Sequence, residues 1–206
     1  MVSEGKKAGG LEARSSSDKR VRAAAQRSLD ALLRAAKDVF AAVGVDATVR
    51  DIAQAAGVGL GTLYRHFPQR SDLIAAVFRR EIDECADAAT ALTAGHGPFE
   101  ALASWMQTYA AFFATKRGLA KVLHSGDPAF DALPGYFDQR LRPALQTLLE
   151  TAVASGEIRA DVDADELLVA VASLCMSDYN AMPGRAERMV ALLVDGLRYG
   201  VPALKA

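Results

Sequence analysis

Between Leu60 and His66 the sequence sets side chains suited to touching a nucleic acid at the spacing of one short helix. Arg65 can offer a guanine edge two parallel hydrogen bonds, Thr62 can meet a base or a thymine methyl, and Leu60 can make apolar contact. Gly59 and Gly61 flank Leu60 with no side chain beyond hydrogen. The backbone N–H groups there can come close to a phosphate, which the first turn of a helix favours. Base contacts specify only when other groups hold them in register, so the surrounding elements decide whether these residues can act.

Those elements are written on either side. Thr48 with Asp51 three residues on makes a start resembling a capping box, and Ile52, Ala53 and Ala56 then line one side of a helix of about two turns. Gly57 can take the left-handed conformation that closes a helix, and Val58 follows it to plug the space between two helices. Leu63 and Phe67 are four apart and share the inner face of the second helix, which leaves Leu60, Gly61, Thr62, Arg65 and His66 free to point elsewhere. Pro68 stops it, and Ser71 with Asp72 opens a long helix as cap and first-turn acid. Two short helices joined by a glycine turn, followed by a long one, are the grammar of a helix-turn-helix DNA reader.

The run Gly57-Val-Gly-Leu-Gly-Thr-Leu-Tyr-Arg-His-Phe67 resembles the recognition segment of the tetracycline-repressor (TetR) family of bacterial regulators. The helix before it, carrying Leu29, Leu32, Ala36, Val39 and Phe40, and the start of the helix after it share the likeness. Beyond them the chain is similar to the family only in length and helical layout. The resemblance implies that Tyr64 and His66 grip phosphates. It places Arg70 where the family usually has a lysine on the DNA backbone, and Thr48 and Arg50 at positions that contact phosphate and sometimes a base. One departure is clear: the family commonly has a serine where this chain has Gly59, so that side-chain contact is dropped. Plainer roles stay open beside these, because Tyr64 also fits a packed aromatic, His66 a surface residue or cap, Arg65 a solvated or phosphate-bound side chain, and Thr48 a cap alone.

The net charge of -1 over 206 residues conceals a division. Residues 1–80 hold 14 of the 24 Lys and Arg but 8 of the 25 Asp and Glu, so the excess of positive charge coincides with the helix-turn-helix and suits a polyanion. With 51% hydrophobic residues the chain can bury a substantial core. No apolar run reaches the 18 or so residues of a membrane span, and the start lacks the apolar centre of a secretory signal, so the expectation is a cytoplasmic protein with no membrane partner. Cys85 and Cys175 sit in apolar helical patterns and read as reduced core thiols. The glycines at 57, 59 and 61 do not have dinucleotide-binding spacing, no phosphate loop or G-x-S-x-G is present, and His66, His96 and His124 form no metal-ligand spacing. No enzyme, cofactor or metal is expected.

The pattern predicts an all-α chain with an N-terminal three-helix head and a C-terminal helical body for ligand binding and dimerisation. Residues 1–22 are expected as a disordered basic tail, 23–70 as the DNA-binding domain and 71–206 as the body. Lys19, Arg20 and Arg22 fit either an extended arm on DNA or a solubilising tail. Helices are expected at about 24–43, 71–93, 99–115, 117–124, 130–155, 163–180 and 184–200, in addition to the two short ones. Residues 167–176 and 189–197 are apolar around more than one face, so each has a second surface to hide. In the resembled family the last two long helices pair with a second copy. Leu168, Val171, Cys175, Met189, Leu193 and Leu197 are accordingly the interface candidates, with a monomer core as the other way to hide them. Trp105, Met106, Tyr109, Phe112, Phe113, Phe137, Met176 and Tyr179 gather as an aromatic and Met stripe, with His124 as a polar neighbour. The stripe fits plain core, and it also fits the effector pocket that the resemblance implies.

The functional expectation is a ligand-responsive transcriptional regulator, a homodimer released from a palindromic double-stranded DNA operator by a small molecule. The competing class is a helical small-molecule-binding or interaction protein whose basic front binds without sequence preference.

Overall fold

The computed structural model describes residues 8–114, 125–176 and 184–199. The described residues are helical with no strand: α1 (Ala8–Val43), α2 (Val49–Ala55), α3 (Leu60–His66), α4 (Arg70–Gly95), α5 (Pro98–Ala114), α6 (Leu133–Ala154), α7 (Ala164–Met176) and α8 (Arg185–Gly196), with a 3-10 turn at Pro128–Phe130. Two compact units divide between Leu73 and Ile74, within α4. The helix expected at 117–124 lies outside the described residues.

In the first unit α1 packs on α2 and α3, which also pack on each other. Leu32, Leu33 and Ala36 of α1 meet the buried set Ala47, Ile52, Ala53, Leu63 and Phe67. At about 1.5 to 3 kcal/mol for each large apolar side chain taken from water, this small core is what holds helices too short to persist alone. Gly44, with φ of +90°, ends α1 as its sequence pattern indicates. Its start differs from expectation. Of the stretch expected as a disordered tail, residues 8–22 lie in α1; from Leu11 to Val43 no glycine or proline interrupts the helix.

In the second unit α5 is central, packing against α6, α7 and α8. Ala101, Leu102, Trp105, Met106, Tyr109 and Ala110 form its buried face at helical spacing, while Glu100, Thr108 and Ala111 on the other side are exposed. The Trp105 indole N–H donates to the Cys85 carbonyl of α4 at 2.8 Å, and the Tyr109 hydroxyl donates to the Leu168 carbonyl of α7 at 3.3 Å. Asp163 caps α7 by accepting from the N–H groups of Asp165 at 2.8 Å and Glu166 at 3.0 Å. Both cysteines are buried thiols, and burial pushes the Cys175 thiol above its ordinary value. No helix among the described residues is long and apolar enough to cross a membrane.

Candidate nucleic-acid interface

The geometry around α3 follows from its caps. Thr48 Oγ1 accepts from the Asp51 N–H at 3.2 Å while the Asp51 carboxylate accepts from the Thr48 N–H at 3.4 Å and its hydroxyl at 2.7 Å, a complete capping box that starts α2. At the other end Gly57 takes φ of +66°. Its N–H donates to the Gln54 carbonyl at 3.1 Å and the Val58 N–H to the Ala53 carbonyl at 3.0 Å, the paired bonds of a Schellman turn. The chain reverses there and Gly59 begins α3 with no side-chain cap, its carbonyl accepting from Thr62 at 2.9 Å.

Leu63 and Phe67 are buried, as their four-residue spacing indicates. That rotation leaves Tyr64 half exposed, Arg65 and Gly61 exposed, and Leu60, Thr62 and His66 partly exposed; Thr48 and Arg50 are exposed on and beside α2. A Cβ placed on Gly59 or Gly61 would meet no atom within 4 Å, and neither residue has positive φ. Among the described residues nothing crowds these two positions, so the backbone there is open to close approach.

Two cations have commitments of their own. Arg65 Nε donates to the Gly61 carbonyl at 3.2 Å, one turn back on α3. The Arg70 guanidinium donates to the Val45 carbonyl in the α1–α2 loop and is partly buried, so the residue at the family's lysine position also ties the head together. Arg70 itself opens α4. Ser71, expected as the cap, sits inside the first turn, and the Asp72 carboxylate reaches back to the Gln69 N–H at 2.9 Å.

In the second unit the aromatic stripe is a packed cluster. Trp105 stacks on Tyr109 at 5.5 Å between centroids. Tyr109 meets Phe113 edge-on at 5.1 Å and Phe137 at 6.0 Å, and Phe112 meets Phe113 at 5.2 Å and Phe78 at 6.3 Å. Trp105, Met106 and Tyr109 are closed off by the protein's own atoms and both polar tips are spent on backbone carbonyls. Phe113 and Phe137 are the partly exposed members. Burial drives the Tyr109 phenol far above its ordinary titration range, so it stays a neutral donor. His124, Tyr179 and the Met176 side chain lie outside the described residues. Phe78 was missed because it belongs to α4, away in sequence from the stripe.

Also unanticipated is a polar tie between α4 and α6. Asp83 accepts from the Tyr136 hydroxyl at 2.6 Å and from Arg140 Nε at 2.7 Å, and Asp87 accepts from Arg140 Nη2 at 2.8 Å. These bonds raise the Tyr136 phenol and the Arg140 guanidinium above their ordinary values, the hydrogen bond to Asp83 being the main cause in each. The signal was present, since Asp83 and Asp87 are four apart on one helix and Tyr136 and Arg140 four apart on the other.

The structure places the interface candidates on two kinds of surface. Leu168, Val171, Cys175 and Leu197 are buried by their own chain, and Met189 and Leu193 are partly exposed. The strongly exposed apolar side chains of this region are instead Val169 at 65%, Leu192 at 74% and Tyr199 at 77%. A helix apolar on two faces does not say which one the core takes. The contacts of α7 and α8 with α5 decide it.

Two family models match the chain. One, described as bacterial regulatory proteins of the tetR family, matches residues 32–77, and a second, described as the C-terminal domain of SbtR-like transcriptional regulators, matches residues 97–199. The chain belongs to the TetR family of transcriptional regulators. This TetR-family chain is 32% identical over 152 residues to the HTH-type transcriptional repressor KstR2 of Mycolicibacterium smegmatis, a match covering 66% of this chain and 70% of that one. Its fold is similar to that of the TetR regulator SCO0520 from Streptomyces coelicolor, with a TM-score of 0.70, 36% identity, and coverage of 84% and 99% of the two chains. A TetR regulatory protein from Mycobacterium vanbaalenii aligns with a TM-score of 0.66 and 34% identity over 87% and 99%. The TetR chain is therefore an all-α DNA-binding transcription regulator with an N-terminal helix-turn-helix.

Proposed function

We propose that the protein is a cytoplasmic, homodimeric repressor that covers a palindromic operator and is released from it by a small molecule. The observation that carries this is the rotation of α3: burying Leu63 and Phe67 turns Leu60, Gly61, Thr62, Tyr64, Arg65 and His66 outward on one short helix. Arg65, Thr62 and Leu60 read base edges. Tyr64, His66, Thr48, Arg50 and the donors that Arg70 does not spend on Val45 hold phosphates and so set the register. Repression as the sign of control is supported by the relative named a repressor. The exposed apolar residues Val169, Leu192 and Tyr199 are where a second copy joins, and two-fold pairing sets two recognition helices about 34 to 36 Å apart. The effector enters the second unit beside Phe113 and Phe137, and acts on the head through α4, the helix in which the two units meet along the chain. Effector and operator then weaken each other by the same factor. No step of this reading requires catalysis, a metal or a cofactor.

Selection of bound duplexes from a random pool tests it. A palindrome with half-sites one helical turn apart is expected. A pool that shows no enrichment, with binding that tracks salt alone, would overturn it in favour of a basic helical protein that binds polyanions without preference.

A further inference from the structure

Among the described side chains, the part of α1 from Lys19 to Arg27 adds nothing to the core of the head. Among the described residues of α1 the first buried side chain is Leu32, and the described side chains from Lys19 to Arg27 are exposed. Four of them are cations, Lys19, Arg20, Arg22 and Arg27, and none has an ion-pair partner among the described residues. From Leu32 back to Lys19 the helix rises about 20 Å at 1.5 Å per residue, a length matching about six base pairs of duplex. We propose that these four cations form a phosphate-gripping stalk that binds duplex DNA flanking the stretch read by α3. An anionic bilayer fits less well, because Lys19–Arg27 offers only Val21 and Ala23–Ala25 besides its charges, with no leucine or aromatic to insert.

The stalk rests on the DNA-binding reading but makes a separate demand. Its contacts are to phosphate, so they add affinity and salt dependence without adding sequence preference. The test uses the full chain with Lys19→Ala, Arg20→Ala, Arg22→Ala and Arg27→Ala combined. Alanine is the best helix former, so helicity and melting midpoint serve as the check that the fold is kept. Affinity is measured between 50 and 200 mM salt for the selected operator, for the same operator with its flanks trimmed, and for a scrambled duplex.

The expected result is a salt slope lower by about 0.9 for each cation that reaches phosphate, up to about 3.6 per protomer. Trimming the flanks should weaken the parent chain and leave the variant unmoved, and the ratio of operator to scrambled affinity should be the same for both. The charge-keeping set Lys19→Arg, Arg20→Lys, Arg22→Lys and Arg27→Lys should retain the parent slope. An unchanged slope and unchanged flank dependence in the alanine variant would overturn the proposal, as would loss of binding to phosphatidylserine vesicles with DNA binding intact. If the parent chain prefers no sequence, the operator reading fails, and the slopes on scrambled duplex still decide the stalk.

Discussion

Arg65 and Tyr64 are neighbours on α3 with different work in the proposed function, and their substitutions test base reading against phosphate holding. Arg65→Ala is expected to cost about 1 to 3 kcal/mol of operator affinity and to relax preference at one base-pair position. Tyr64→Ala should weaken every duplex alike; a competition series across operator variants checks both. Gly61 gives a sharper test because its two effects have opposite signs. A Cβ there meets open space within the chain, so Gly61→Ala should stabilise the head by about 0.8 to 1 kcal/mol in denaturant unfolding while lowering DNA affinity. Unimpaired binding in the more stable variant would mean that the backbone at Gly61 does not approach the nucleic acid. The outward rotation of these residues was legible from Leu63 and Phe67 alone. The bond from Arg70 to the Val45 carbonyl was not, because it joins positions 25 apart and only the packing of α1 on α2 and α3 brings them within reach.

At the scale of elements, caps matter most in the head, where α2 and α3 have 7 residues each and little helix of their own to lose. Thr48→Ala removes one half of the capping box and should destabilise the head by about 1 kcal/mol, seen as a lower unfolding midpoint. Thr48→Ser should restore it. In the second unit the tie from Arg140 to Asp83 and Asp87 is more than one-third exposed at every member, so solvent screens it. Arg140→Met should cost no more than about 1 kcal/mol of unfolding free energy. Trp105→Phe has a larger expected cost, about 1 to 3 kcal/mol, because it shrinks a fully buried side chain and removes its bond to the Cys85 carbonyl at 2.8 Å. A calorimetric comparison of the two variants orders them.

At the scale of the molecule the open question is how copies pair, and it belongs to surface rather than core. Leu192 is 74% exposed, so Leu192→Asp should change the stability of a lone chain by no more than about 0.5 kcal/mol. If α8 joins a second copy, the same change should shift the mass in solution to that of a monomer and abolish the advantage of a palindrome over a single half-site. Val171→Asp should instead unfold the second unit, since that side chain is fully buried by its own chain. A variant that stays paired with Leu192→Asp would move the interface elsewhere.

Local chemistry that acts within a turn or two was readable from the residue order: the Thr48–Asp51 box, the Gly57 reversal, the inward pair of α3, the C-terminal ends of α1 and α6, and with them the family. These depend on side-chain shape and hydrogen bonding across three or four residues, which the order of residues states directly. Helix faces with two apolar sides were not readable. Hydrophobic periodicity records that a surface is to be hidden and not what hides it, so Leu168, Val171, Cys175 and Leu197 could be assigned to a partner until α5 was seen to run through the centre of the second unit. The same limit holds for Phe78 joining the aromatic cluster and for Asp83 finding Arg140, contacts between helices far apart in the chain. The residue order determined which groups face outward on α3. The tertiary structure alone decided which apolar faces the chain consumes itself, because that choice is made by competition among all the helices for one core.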